Sequence, residues 1–272
     1  MIKQAIIPLA GLGTRMLPLT SVMPKELMPI NGKPNLQYIL EECIDAGVKE
    51  FIFIISKKKI SIKKYFFNDN FYRKILKKKK DKRLLEEYKK IKRYQRMIKF
   101  VYQNKPRGTG DAVLKCKRFI KNKYFLMLLP DDLIIRKNCS KEMIKLHKKT
   151  NGSIIATKKV ERKTVSRWGI LSIKNKKKNY FQIKDVVEKP SIKKAPSNFA
   201  IIGRYILPTK IFGEIKKLKP GQGGEIHITD AIRRLIKKNN KFYGNIFTGK
   251  YLDCGTLRGY INSGIQISKE YK

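Results

Sequence analysis

Apolar positions form short continuous runs in the first half of the chain and alternating runs in the second. Ile6-Ile7, the stretch 51–55 (Phe-Ile-Phe-Ile-Ile) and the stretch 125–129 (Phe-Leu-Met-Leu-Leu) contain no polar residue. Such runs mark strands covered on both faces, as in parallel sheets. Strands are predicted at 4–10, 50–56, 99–103, 124–130, 153–160, 169–173, 181–187 and 199–207. Helical spacing recurs between them, at 35–46, 109–120, 140–149, 230–238 and 257–268. The first of these sets Leu36, Ile39, Leu40, Cys43 and Ile44 on one stripe, with Gly47 just beyond its end as a natural stop. Strand–helix–strand alternation through residue 150 predicts a doubly wound, Rossmann-like α/β sheet. The segment 174–179 reads as a polar hairpin turn. Segment 70–97 holds 13 Lys+Arg among 28 residues, with Leu84, Tyr88 and Ile91 at helical spacing. It is predicted to be a basic helix or helical pair inserted between two strands. No internal repeat and no Pro/Gly/Ser linker divides the 272 residues, so one domain is expected.

Composition changes this picture in one respect. Sixty-four Lys+Arg against 21 Asp+Glu give a formal charge of +43. Charge on this scale invites a nucleic-acid reading. The lysines, however, are spread over nearly every polar segment, alongside many Ile, Asn, Tyr and Phe, and no nucleic-acid-binding motif accompanies them. They are read as solvated surface, with no specific nucleic-acid partner. The four cysteines (43, 116, 139, 254) form no CxxC pair, which suits a reducing, cytoplasmic setting. No apolar run approaches the roughly 20 residues of a spanning helix, so no membrane association is expected.

The first strand leads into Leu9-Ala10-Gly11-Leu12-Gly13-Thr14-Arg15-Met16-Leu17-Pro18. Glycines after a strand let backbone N–H groups approach phosphate oxygens. The run is neither a dinucleotide fingerprint nor a Walker A loop. Further on, Pro24-Lys25-Glu26 sets a lysine in a stiff, proline-bracketed loop. Together the loop, Arg15 and Lys25 suggest a polyphosphate cradle; Lys25 taken alone reads more readily as a surface cation. Asp131 follows the apolar strand at 124–130, at the carboxyl end where ligands gather in α/β sheets. Histidines 147 and 227 are the only two, and no nucleophile–base pair or metal-spaced His/Cys cluster is present.

The run 10–18 followed by Pro24-Lys25-Glu26 resembles the signature of the nucleotide-sugar pyrophosphorylases, in particular the bacterial UTP–glucose-1-phosphate uridylyltransferases. The resemblance continues in order through Lys33-Pro34, Gly108-Thr109-Gly110-Asp111, Leu129-Pro130-Asp131, Val187-Glu188-Lys189-Pro190, Gly203-Arg204-Tyr205, Thr229-Asp230-Ala231 and Asp253-Cys254-Gly255. It implies a mixed sheet of the nucleotide-diphospho-sugar transferase type. It also implies a nucleotide-binding half at about 1–135, a sugar-binding half at about 136–255 and a C-terminal helix at 256–272. The implied reaction is transfer of uridylyl from UTP to glucose 1-phosphate with release of pyrophosphate, assisted by Mg²⁺. The attacking oxygen is already anionic, so catalysis would rest on positioning and charge neutralisation, without a general base.

The same resemblance distributes roles. Arg15, Lys25 and Lys189 are the implied catalytic cations, and Ala10, Gly11, Leu12 and Gly13 the nucleotide loop. Gln103 and Gly108 would read the uracil edge. Gly169, Glu188 and Lys189 would hold the sugar phosphate, and Asp131 and Asp253 the metal. Asp132 competes with its neighbour on paper, but the family places its aspartate directly after proline. Three departures stand out: Asp111 where a histidine is more usual, although related thymidylyltransferases carry an aspartate there; Leu252 in place of a polar residue; and Thr256-Leu257-Arg258 after the second aspartate. A thymidylyltransferase, or a noncatalytic nucleotide-sugar-binding paralogue, is the alternative. A homo-oligomer, dimer or tetramer, is implied, and Leu257, Tyr260, Ile261, Ile265 and Ile267 offer an apolar stripe for it.

Overall fold

The computed structural model describes residues 2–79 and 81–270; Lys80 of the basic run, and Tyr271 and Lys272 of the expected C-terminal helix, lie outside them. In chain order the strands are β1 (Gln4–Pro8), β2 (Pro29–Ile30), β3 (Lys33–Pro34), β4 (Glu50–Ile55), β5 (Ile98–Tyr102), β6 (Tyr124–Leu128), β7 (Asp132–Ile135), β8 (Ser153–Lys159), β9 (Gly169–Lys174), β10 (Tyr180–Glu188), β11 (Phe199–Pro208), β12 (Phe242–Ile246) and β13 (Lys250–Asp253). The α-helices are α1 (Asn35–Asp45), α2 (Ile60–Phe67), α3 (Asp69–Lys78), α4 (Lys82–Met97), α5 (Thr109–Leu114), α6 (Cys139–Thr150), α7 (Ile211–Lys216), α8 (Ile228–Lys237) and α9 (Leu257–Glu270).

Nine strands form one mixed sheet in the order β5-β4-β1-β6-β11-β8-β12-β10-β9. The β5-β4-β1-β6 part is parallel, and β11 then enters antiparallel to both β6 and β8. Successive strand residues face opposite sides, and both sides are apolar. Ile7, Phe51, Phe53, Leu126 and Leu128 pack with Leu36 of α1, Ile62 of α2, Ile91 of α4 and Met143 of α6. Ile6, Ile52, Ile54, Phe125 and Met127 pack on the other face with Val113 of α5, Phe212 of α7 and Ile232 of α8. Helices on both faces explain why these strands read as unbroken hydrophobic runs.

Helix α1 stops as its sequence predicts. The amides of Gly47 and Val48 return to the carbonyls of Ile44 and Cys43 at 2.9 and 3.0 Å, the paired bonds of a Schellman ending. The basic insertion is a helical pair, α3 and α4, with Asp81 capping α4 through the amides of Arg83 and Leu84. Helix 109–120 is shorter than expected: α5 ends at Leu114, and a separate 3₁₀ turn covers Lys117–Phe119. Five short strands and two helices escaped the pattern. Among them β12 carries Gly244 at its centre, whose missing Cβ leaves room for the Phe181 ring; an added one would lie 2.4 Å from it.

The switch in strand order positions the site. From β1 the chain runs through α1 to β4 on one side, while β6 pairs on the other. The loops that follow β1 and β6 therefore open beside each other at the carboxyl edge. A second sheet completes the arrangement: β13 pairs antiparallel with β7, with Asp253 opposite Asp132. That ladder brings two aspartate-bearing segments together across more than a hundred residues of chain.

Candidate active site

Two clefts meet at the loop after β6. The first, of about 510 Å³, is lined by Ala10, Gly11, Leu12, Gly13, Lys25, Gln103, Gly108 and Asp131, with Glu225. The second, of about 440 Å³, is lined by Arg15, Asp131, Gly169, Glu188 and Asp253, with Asp132, Thr229 and Tyr251. Asp131 belongs to both. Apart from Lys189, every residue to which the sequence assigned a site role lines one of them. Lys189 follows the last residue of β10; its side chain is exposed, and its N–H donates to the Trp168 carbonyl at 3.0 Å. It stands beside Gly169 and Glu188 in the chain path without lining either cleft.

Among the described residues, the N–H groups of Gly11, Leu12, Gly13 and Thr14 take part in no backbone hydrogen bond. Four adjacent donors at one cleft wall suit an anion. Lys25, nearly buried, contacts Asp131 Oδ2, and the more exposed Arg15 approaches the same oxygen at 3.5 Å. The loop carrying Lys25 is pinned from behind by its neighbour. Glu26, 1% exposed, receives Lys59 Nζ on both carboxylate oxygens at 2.8 Å. Burial pushes the Glu26 carboxyl up and the Lys59 ammonium down from their usual ranges, each partly offset by the other's charge. Sequence reading gave Glu26 no role and did not single out Lys59. Nothing in the run Lys57-Lys58-Lys59 distinguishes the one lysine that turns inward.

Asp131 and Asp253 converge at Gly255. A Cβ added there would lie 2.8 Å from Arg15 Nη2, 3.0 Å from Asp131 Oδ2 and 3.2 Å from Asp253 Oδ1. The absence of a side chain leaves that space open. Two carboxylates facing one gap form a hard-oxygen donor set of the kind a divalent cation uses with phosphates and water. Among the described residues no group of three or more acidic, histidine or cysteine side chains gathers at a metal-holding distance, here or elsewhere, so the protein would supply two carboxylates. Asp132 is differently placed. It is buried, accepts from Tyr251 Oη at 2.6 Å and from the Gly203 amide at 3.0 Å, and burial raises its pKa. Its carboxylate is tied into the wall.

Arg204 builds that wall further. Fully buried, it pairs with Glu42 at 2.9 Å and donates to the carbonyls of Leu129, Gly203 and Asp132. It thus grips the chain on both sides of Asp131, a task that no spacing in the sequence could reveal. Asn35 adds a third anchor, donating to the Pro130 carbonyl at 2.9 Å.

In the first cleft, Gln103 Nε2 donates to Asp111 Oδ2 at 2.7 Å and to the Gly108 carbonyl at 3.2 Å. Gly108 adopts φ +96°, and an added Cβ would sit 2.6 Å from the Ile226 carbonyl, so only glycine fits. The loop is zipped to Ile226, whose carbonyl receives the Gly110 amide at 2.7 Å. On the other side, Thr229 Oγ1 donates to Glu188 Oε2 at 2.9 Å, and that same oxygen lies 3.2 Å from where a Gly169 Cβ would be. Thr229 is a positioning partner that the sequence motif contained but did not explain.

Comparison with known proteins gives this geometry a family. The nucleotidyl transferase family model matches residues 4–270. The chain belongs to the nucleotidyl transferase family. The family member shares 37% identity with UTP–glucose-1-phosphate uridylyltransferase 1 of Streptococcus pyogenes, over 99% of this chain and 90% of the relative. With the UTP–glucose-1-phosphate uridylyltransferase of Bacillus subtilis it shares 36% identity over 100% of this chain and 92% of the relative. Among solved structures it superposes on a UDP-glucose pyrophosphorylase complexed with UDP-glucose (TM-score 0.88, 36% identity, 99% and 100% of the two chains). It also matches a UTP-bound UGPase from Acinetobacter baumannii (TM-score 0.89, 31% identity, 100% and 95%).

Proposed function

We propose that this nucleotidyltransferase moves uridylyl from UTP to glucose 1-phosphate, forming UDP-glucose and pyrophosphate. The observation that supports the reading is the junction of the two clefts at Asp131, which brings a glycine loop with four amides unpaired among the described residues and a carboxylate-lined pocket to one point. A phosphate oxygen of glucose 1-phosphate would attack the α-phosphorus of UTP as the bond to the pyrophosphate oxygen breaks. No proton need move. The amides of 11–14, with Arg15 and Lys25, would gather the negative charge of the phosphates, and Gln103 and the Gly108 backbone would meet the uracil edge. Glu188, held by Thr229, would accept hydrogen bonds from sugar hydroxyls, with Lys189 at the rim for the sugar phosphate.

Asp131 and Asp253 fit a Mg²⁺ ion, which when bound would help neutralise the phosphates being exchanged. A panel of nucleoside triphosphates against sugar 1-phosphates tests the whole reading. UTP with glucose 1-phosphate is expected to give the highest rate of pyrophosphate release, abolished by EDTA and restored by Mg²⁺. Preference for dTTP would transfer the assignment to a thymidylyltransferase, and no release with any pair would leave a binding protein.

Charge separates background from machinery. Replacing lysines 176–178 by glutamine is expected to leave the KM for UTP within about threefold, under ~0.7 kcal/mol. Lys25→Ala should cost on the order of 1.5–3 kcal/mol, because Lys25 would hold a phosphate through a charge-assisted contact in a nearly dry wall. Steady-state kinetics at low and moderate salt compare the two; equal damage would make the surface charge part of the reaction.

A homo-oligomer and a cytoplasmic setting complete the proposal. Among the described residues no helix is long and apolar enough to cross a membrane. Helix α9 turns Ile267 fully inward but leaves Leu257, Ile261 and Ile265 46–52% exposed, at i, i+4, i+8 spacing on one stripe. An apolar stripe of that kind suits a second copy of the chain. Light scattering at micromolar concentration is expected to give at least twice the chain mass, and Ile261→Glu to lower it; a wild-type monomer would remove this part of the proposal.

A further inference from the structure

A groove of about 680 Å³ lies away from both clefts, between α6 and the strand pair β10–β12. Its volume falls within the range of about 300–1,000 Å³ common to small-molecule sites. Lys145 and Lys149 of α6 face Lys177 and Lys178 of the β9–β10 turn across it. None of these four lysines has a carboxylate within ion-pair distance among the described residues, although Glu142 lies at the same groove. That glutamate instead holds Thr248, through both the amide and the hydroxyl.

Between the lysines the floor is apolar and aromatic, formed by Leu146 and by Tyr180, whose ring lies 5.3 Å from Lys149 Nζ. Asn245 adds the decisive feature. Register places it opposite Tyr180 in β10 and Ala156 in β8, so its side chain shares the sheet face that α6 covers. It lines the groove, it is 5% exposed, and its Nδ2 has no hydrogen-bond partner. A buried amide left unpaired is costly, and such groups in folded chains call for an explanation. An acceptor supplied by a ligand is one.

We propose that this groove is a second, noncatalytic site for a phosphorylated small molecule. The lysines would take the phosphoryl oxygens, Asn245 Nδ2 would donate to a ligand oxygen, and Tyr180 with Leu146 would receive the apolar body. Charge complementarity favours an anion, since four cations meet one already engaged carboxylate. The site lies outside the chemistry of the two clefts, so it stands or falls separately from the uridylyl-transfer reading.

Calorimetric titration with inorganic tripolyphosphate tests it on the whole chain. Two binding events are expected for the wild type, of which Lys25→Ala weakens one. Asn245→Ala, and separately Lys149→Gln with Lys178→Gln, should weaken the other at least tenfold while UDP-glucose formation stays within twofold. The lysine pair is exposed, so it keeps the test valid should Asn245→Ala unfold. Lys77→Gln with Lys78→Gln removes equal charge elsewhere and should change nothing. Equal weakening by that remote pair would reduce the effect to diffuse electrostatics and overturn the proposal. So would unchanged tripolyphosphate binding in the groove variants; a fall in oligomer mass in those same variants would then assign the groove to a second copy of the chain.

Discussion

Asp131→Asn is expected to lower kcat/KM for UDP-glucose formation by about 10²–10³ while the protein stays folded. Its carboxylate sits where the two clefts meet, facing Lys25, Arg15 and, across the gap at Gly255, Asp253. Loss of one preorganised electrostatic group, such as an oxyanion-hole donor, is worth about 2.7–4 kcal/mol in other active sites, and the same scale is expected here. The effect on stability should be far smaller. Asparagine keeps the shape and can still accept from Lys25, and the Asp131 side chain is 21% exposed, so the lost ion pair is worth on the order of 1 kcal/mol. At this chain length that moves the melting midpoint by roughly 2–4 °C. Circular dichroism on heating and coupled pyrophosphate release measure the two effects on one sample. Near-normal turnover by a folded variant would sink the role given to Asp131. An equally large loss of stability would mean that the residue holds the loop and nothing more.

How much of this was legible beforehand depends on how local each signal is. The double cover of the sheet was written into 51–55 and 125–129, because a strand buried on both faces cannot afford polar alternation. The end of α1 was equally local, needing only Gly47 after an apolar stripe. Helix α5 was overextended since Lys115–Ile120 continues a plausible stripe, yet the backbone tightens into a 3₁₀ turn at Lys117–Phe119. Strands β7, β12 and β13 were missed because they are short or carry a glycine that weakens the apolar pattern, and their existence depends on partners far along the chain. The site followed the same division. Its glycine loop, Lys25 and Asp131 stood in recognisable runs. The groups behind the site, Lys59 on Glu26, Glu42 on Arg204 and Thr229 on Glu188, act through contacts that only folding creates. Asp111 illustrates the middle ground: its identity departed from the usual pattern, but only the 2.7 Å bond to Gln103 shows what it does here. By engaging the amide nitrogen, it leaves the carbonyl end of Gln103 for another partner.

Arg204→Met is expected to destabilise the chain by about 3–5 kcal/mol, the cost typical of leaving one member of a buried ion pair alone. Glu42, with a side chain 7% exposed, would lose its only cation among the described residues, although Ser140 would still donate to it. In a chain of this size the melting midpoint should fall by roughly 10 °C. Activity at a temperature where the variant is folded should also drop, because the carbonyls of Leu129 and Asp132 on either side of Asp131 lose the guanidinium that binds them. A second substitution separates the two effects. Replacing a whole buried pair with apolar groups of similar volume is often neutral or better for stability, so Arg204→Met with Glu42→Leu should recover much of the lost midpoint. It cannot restore the donors to the two carbonyls, so turnover should remain low. Full recovery of both properties would reduce Arg204 to a counter-ion for Glu42. Recovery of stability alone would establish that it positions the loop on which Asp131 stands.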